Sequence, residues 1–139
     1  MLRLSDKAGK AIIWVVLLVV IAIAGAWHFV VQPARLGAME KETVTSLEVL
    51  RNALGKYYSQ KGLYPETLDA LIPNYISKIP LSHPHPMEAS PRVQIVSSGD
   101  GLDYGGGWAF DTNTESPTYG RVFVNAKGAD SKGKSWISY

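Results

Sequence analysis

The chain of 139 residues has no cysteine. Disulfides, thiolate nucleophiles and cysteine-based zinc sites are therefore excluded, and a domain of this kind in an oxidising compartment must be held by packing, by an ion or by neighbouring subunits. Charge is also scarce: 14 Lys/Arg against 12 Asp/Glu give a net charge of +2. That is too little for the basic footprint of a nucleic-acid binder, so no nucleic-acid partner is expected. Local enzyme signatures are missing too. There is no phosphate loop, no HExxH pair and no nucleophile elbow, and no enzyme is expected. The run Gly105-Gly106-Gly107 precedes a strand rather than a helix, so it reads as a tight turn and not as a phosphate cradle.

The charge that is present is unevenly placed. Residues 1–61 hold eight basic and four acidic side chains, whereas residues 62–139 hold six and eight. The basic excess lies beside the one long apolar run, residues 11–31, which is interrupted only by Gly25 and His28. At about 1.5 Å per residue this run is long enough for a bilayer core of about 30 Å. Trp14 and Trp27 stand near its two ends, where indole rings favour the interface, and His28 is read as interfacial for the same reason. Arg3, Lys7 and Lys10 precede it; Arg35 and Lys41 follow, so the positive-inside balance favours an inside N-terminus by a small margin. Three readings stay open: a permanent single-span anchor, a leader cut on the cytoplasmic side of the run, and a secretory signal peptide cut near Ala24-Gly25-Ala26. The last is weakened by Phe29, Val30 and Val31, which continue the apolar run past the cut.

Pro33 follows, but proline can kink a helix without ending it. Beyond it, Leu36, Met39, Leu47, Leu50, Leu54 and Tyr57 recur at helical spacing, with Val44 and Tyr58 widening the stripe and Thr43 bridging a gap. Glu40, Lys41, Glu42, Glu48, Arg51 and Lys56 are expected mostly off that stripe. Gly62 is a natural stop, with Lys56 and Lys61 complementing the negative end of the helix dipole. Residues 11–61 thus read as one helix, apolar all round in its first half and on one face in its second.

About 105 residues outside the membrane run make one small domain. Residues 66–71 read as a short helix with Pro65 at its first position. Pro73, Pro80, Pro84, Pro86 and Pro91 then rule out regular structure until three strand candidates at residues 92–96, 107–111 and 121–126. The expected class is α+β: a long N-terminal helix whose outer half covers a small antiparallel sheet of three or four strands. The expected division is a leader or tail at 1–10, a transmembrane or filament-core helix at 11–31, and a globular domain at 32–139.

Several stretches, taken in order, resemble type IV pilins and the major pseudopilins of type II secretion. They are Leu50-Arg51-Asn52-Ala53-Leu54-Gly55-Lys56-Tyr57-Tyr58, the turn Gly62-Leu63-Tyr64-Pro65, the segment from Leu68 to Pro80, Gly106-Gly107-Trp108-Ala109-Phe110-Asp111, Gly120-Arg121-Val122-Phe123-Val124-Asn125, and Asp130-Ser131-Lys132-Gly133. The resemblance implies a pilin-like fold and a structural subunit of a pilus or pseudopilus filament. It implies self-association, other pilin-like subunits and a secretion or pilus assembly machinery as partners. The implied location is the inner membrane, single-pass, with the C-terminal domain periplasmic or extracellular. Leader processing is implied between Gly9 and Lys10, although Trp14 stands where the family has a glutamate. Close helix packing falls to Ala22, Ala24, Gly25 and Ala26. A calcium ion is implied at Asp130 and Ser131.

Other candidates read as structural. Asp100 and Asp103 lack the spacing of a calcium-binding EF-hand and are expected in a turn. His83 and His85 put two imidazoles on one face of an extended Pro-rich segment, but no third ligand is evident, so an exposed loop is expected. Tyr57, Tyr58, Trp108 and Trp136 could stack a ligand, but Trp108 above all is expected in the core. A monomeric, membrane-anchored binding module is the alternative to a filament subunit.

Overall fold

The computed structural model describes residues 6–139, with side chains from Gly9 onward. Of the leader or tail read at 1–10, residues 1–5 lie outside the described part. The chain forms two compact units, Met1–Leu36 and Gly37–Tyr139.

In the first unit, α1 (Asp6–Ala26) is followed by a π-helical turn at Trp27–Val31, and α2 (Gln32–Lys61) begins directly after it. The widened turn has a cause in sequence. Pro33 has no N–H to offer the carbonyl four residues back, and its ring crowds that carbonyl. A π turn just before it loosens the ladder there without ending the helix. The backbone is helical from Gly9 through Lys61, as expected, and this helix is long and apolar enough to cross a membrane. Its end is also as expected: Gly62 has φ +74°, and its N–H donates to the Tyr58 carbonyl at 2.8 Å.

Within the second unit, the buried face of α2 is Glu40, Thr43, Leu47, Leu50, Ala53 and Leu54. The spacing is three and four throughout most of this row, but the row is not the one apolar character picks out. Met39 and Tyr58 are exposed, while Glu40 and Thr43 are buried. Burying polar groups costs free energy unless they are paired, and both are. Thr43 Oγ1 donates to the Met39 carbonyl at 3.1 Å and accepts from the His83 amide at 2.8 Å. Glu40 accepts from Ser131. The expectation that Glu40 lies off the buried face is thus corrected.

The short helix is a 3₁₀ turn, Leu68–Leu71, which begins after Thr67 rather than at Pro65. It is stopped by Pro73, which holds Ile72 in the extended region. The sheet contains β1 (Val93–Val96), β2 (Trp108–Asp111) and β3 (Val122–Val124) in the order β1-β2-β3. The expected all-antiparallel sheet is corrected: β2 and β3 are antiparallel, but β1 and β2 are parallel, with Val93 opposite Trp108. Residues 97–107 therefore return along the whole length of β1, and side chains of β1 and of the residue before it hold that return in place. Gln94 donates to the Gly101 carbonyl at 3.0 Å and accepts from the Asp103 amide at 3.0 Å. Arg92 meets Asp103 at 2.5 Å. Alternation tells which residues share a face, not which way the strand runs, so the sequence pattern fits either pairing.

Alternation does sort the two faces correctly. Trp108, Phe110, Val122 and Val124 join Leu47, Leu50, Leu54, Leu68, Leu71 and Trp136 in the main core. On the other face Ala109 and Phe123 join Val96 and Leu102 in a smaller cluster. The sheet is thus covered on both sides. Trp108 and Trp136 are both core residues, and the Trp108 indole N–H donates to the Pro80 carbonyl at 2.8 Å. Burial of each large apolar side chain contributes about 1.5–3 kcal/mol.

Candidate functional site

The feature most in need of a partner is α1. Its apolar side chains stand out from the chain, with Trp14 at 68 % exposure and Ile23 at 65 %, and in the following turn Phe29 reaches 85 %. An apolar surface of that extent is unstable in water and calls for lipid or protein around it. Ala22, Ala24 and Ala26 are exposed and Gly25 half-buried, and nothing lies within 4 Å of where a Gly25 side chain would begin. On an α-helix Ala22, Gly25 and Ala26 share a face, because residues three and four apart are neighbours; Ala24 falls elsewhere. That face would admit a second helix closely. Gly9 and Lys10 both lie within the helical run, Lys10 exposed. Trp14 is exposed as well.

The C-terminal loop is a closed hydrogen-bonded structure. Asp130 Oδ1 accepts from the amides of Lys132 at 2.9 Å and Lys134 at 2.8 Å, while Oδ2 accepts from the Tyr139 hydroxyl. The Tyr139 hydroxyl, with those amides, holds the Asp130 carboxyl below its ordinary pKa; the same bond pushes the Tyr139 phenol up to about 12. Next to it, the Ser131 amide donates to Glu40 Oε1 at 2.8 Å, and the Ser131 hydroxyl donates to Glu40 Oε2. Glu40 and Asp130 line one cavity of about 320 Å³ with Lys41, Lys132 and Tyr139. Glu40, Asp130 and Ser131 are the oxygen donors a calcium ion would find there, and each already has a hydrogen-bond partner. Among the described residues no group of three or more His, Cys, Asp or Glu side chains is placed to hold a metal. Glu40 was not singled out as a site residue from sequence. Its partner lies 91 positions away, and no local pattern connects them.

The remaining candidates take structural places. Asp103 is a junction. Besides Arg92, its Oδ1 accepts from Asn125 at 2.7 Å and from the Gly105 amide at 2.9 Å, and these bonds, the Arg92 pair first, hold its pKa far below the usual range. Asp100 is exposed beside it. His83 is largely enclosed, contrary to the exposed loop expected. Its ring nitrogens have no hydrogen-bond partner, and Glu42 lies 3.9 Å away, just at the limit of an ion pair. His85 is exposed. The His83 amide is tied to Thr43 Oγ1, and Pro84 beside it is buried.

Asp111 was unmarked in sequence, yet it organises the polar loop at residues 112–120. Its Oδ2 accepts from the hydroxyls of Ser116 and Thr118, both at 2.5 Å, and its Oδ1 accepts from the Asn113 amide at 2.9 Å. Burial alone would raise this carboxyl, but the Ser116, Thr118 and Asn113 bonds together outweigh it, so the pKa falls below its ordinary value. A group depressed in the folded state contributes stability above its unfolded pKa of about 3.9 and loses it as pH falls through the folded value. Asp111→Asn is therefore expected to lower stability at pH 7 by about 1–3 kcal/mol. It should also flatten the loss of Tm below pH 4. Melting the parent and the variant from pH 2 to 7 checks both effects.

The chain matches no protein-family model, no curated protein and no solved structure.

Proposed function

We propose that this chain is a structural subunit of a pilus-like or pseudopilus filament and works without catalysis. The observation that carries the reading is an apolar α1, exposed along its length, whose helical backbone runs on into the helix that builds the domain core. A simple tether needs no such continuity. Before assembly the helix would sit in the inner membrane as a single span, with the domain periplasmic or extracellular. On assembly it would move into a core of like helices, made of copies of itself and of other pilin-like subunits, delivered by a secretion or pilus machinery. The move exchanges one apolar surrounding for another, so it costs little, and Ala22, Gly25 and Ala26 permit close approach.

The test is the intact mass and N-terminal residue of the protein extracted from membranes. A chain beginning at Lys10 is expected, meaning that a leader peptidase cuts after Gly9. A retained Met1 would overturn processing and favour the second reading, a single-span anchored binding module acting as a monomer. That reading is favoured by one observation, the exposed Trp14 where a filament subunit of the resembled family has an acid.

A further inference from the structure

A calcium ion at Asp130 and Ser131 is what the resemblance to pilins and pseudopilins implies, and the residues present do not fit one. Calcium takes about six to eight oxygens, and its affinity rises with the number of carboxylates among them. The cavity beside the loop has two carboxylates, Glu40 and Asp130, and two ammonium side chains, Lys41 and Lys132, so its formal charge is balanced without an ion. The carboxylate oxygens are also engaged. Asp130 Oδ1 accepts the amides of Lys132 and Lys134, and Oδ2 accepts the Tyr139 hydroxyl. Glu40 accepts the Ser131 amide on one oxygen and the Ser131 hydroxyl on the other. An ion would have to displace these donors, and three of them are backbone amides that cannot rotate away on their own.

We propose that the chain closes this loop with its own side chains: the Tyr139–Asp130 and Ser131–Glu40 pairs form a metal-independent clasp that holds the loop on α2. Each pair joins a hydroxyl donor to a carboxylate, and such charge-assisted bonds are about twice as strong as neutral ones. Glu40 is buried, so its bonds to Ser131 are shielded from water. The Tyr139 ring is held on two sides. Its centroid lies 5.6 Å from that of Trp136, and the Lys134 ammonium stands 3.6 Å over its face. The base of the loop is closed by a bridge between Ala129 and Ser135 and by the Asp130 amide, which donates to the Lys134 carbonyl at 2.9 Å. The clasp lies wholly within the domain, so it holds for either reading of α1.

Tyr139→Phe tests the clasp, because it keeps the ring with its Trp136 and Lys134 contacts and removes only the donor. The full chain in neutral detergent micelles is melted in millimolar calcium and again in chelator. The parent is expected to melt at the same temperature in both, since an ion bound to the folded state would raise Tm. Tyr139→Phe should lower Tm by about 4 °C or more, equally in both solutions. In an Asp130→Asn background the same change should cost about half as much or less, because the charge behind the bond is gone. Ser131→Ala should lower Tm independently of calcium as well. Three outcomes would each overturn the proposal: a saturable rise of the parent Tm in calcium, a Tyr139→Phe variant that melts like the parent, or an undiminished Tyr139→Phe loss in Asp130→Asn.

Discussion

Gly107→Ala is expected to abolish cooperative folding of the domain, whereas Gly106→Ala, one residue earlier, is expected to be tolerated. Both glycines have positive φ, +81° at Gly106 and +75° at Gly107. An alanine in that region costs about 1–2 kcal/mol at either site. The difference lies in what a side chain would meet. At Gly106 the nearest atom is the flexible end of Met87 at 3.4 Å, which can give way. At Gly107 the methyl would run into the backbone carbonyl of Arg92, with the Arg92 carbonyl carbon at 2.9 Å. That carbonyl accepts the Trp108 amide at 2.7 Å and begins the parallel β1–β2 pairing, so it cannot move without opening the sheet. Such a clash belongs to the rare class of losses above about 4 kcal/mol. Thermal melts followed by near-ultraviolet circular dichroism check this, since Trp108 and Trp136 report the packed core. Gly107→Ala should show no cooperative transition, and Gly106→Ala should lose only a few degrees. Equal behaviour of the two variants would mean that the parallel pairing does not set the limit.

The second large effect is in α1, which with the turn after it is long and apolar enough to cross a membrane. Under the proposed filament role, Ala22→Arg should still insert into the membrane and yet give no filaments. An arginine at the centre of a spanning helix costs about 2.5–3.5 kcal/mol on insertion scales, while each Leu, Ile, Val or Phe contributes about −0.3 to −0.6. The run around Ala22 contains Val15, Val16, Leu17, Leu18, Val19, Val20, Ile21 and Ile23, enough to hold the helix in place. A bilayer also thins and lets a long side chain reach its surface. A face closed against a neighbouring helix offers no such escape, and Ala22 shares its face with Gly25 and Ala26. Membrane fractionation with electron microscopy of overexpressing cells separates the two steps. Normal filaments from this variant would contradict assembly through this helix.

The local features of the fold were legible in the sequence because their causes are local. The apolar run is visible as length and composition, the helix end as Gly62, and the core face of β2 and β3 as alternation through Trp108, Phe110, Val122 and Val124. The errors arose where a partner far along the chain changes the rule. Met39 is the more apolar choice for a buried helix position, but Glu40 is buried because Ser131 supplies two donors to it. His83 reads as part of an exposed loop until Thr43 binds its amide and Pro84 turns inward. Asp111, the residue that closes the loop at 112–120, is marked in sequence only as an acid at the end of a strand.

The sequence by itself determined that this chain carries a helix able to cross a membrane, that the helix continues past Pro33, and which side chains of β2 and β3 face the main core. Those properties depend on spacings of two to four residues and on the length of one apolar run. Only the tertiary structure decided that β1 lies parallel to β2 and that Glu40 and Asp130 face one cavity. Glu40 and Ser131 are 91 positions apart, and a charge gives no sign in sequence of which distant donor it will face. Such a meeting is set by how the helix docks on the sheet, because the apolar faces dominate the packing free energy and bring the polar groups at their edges along with them.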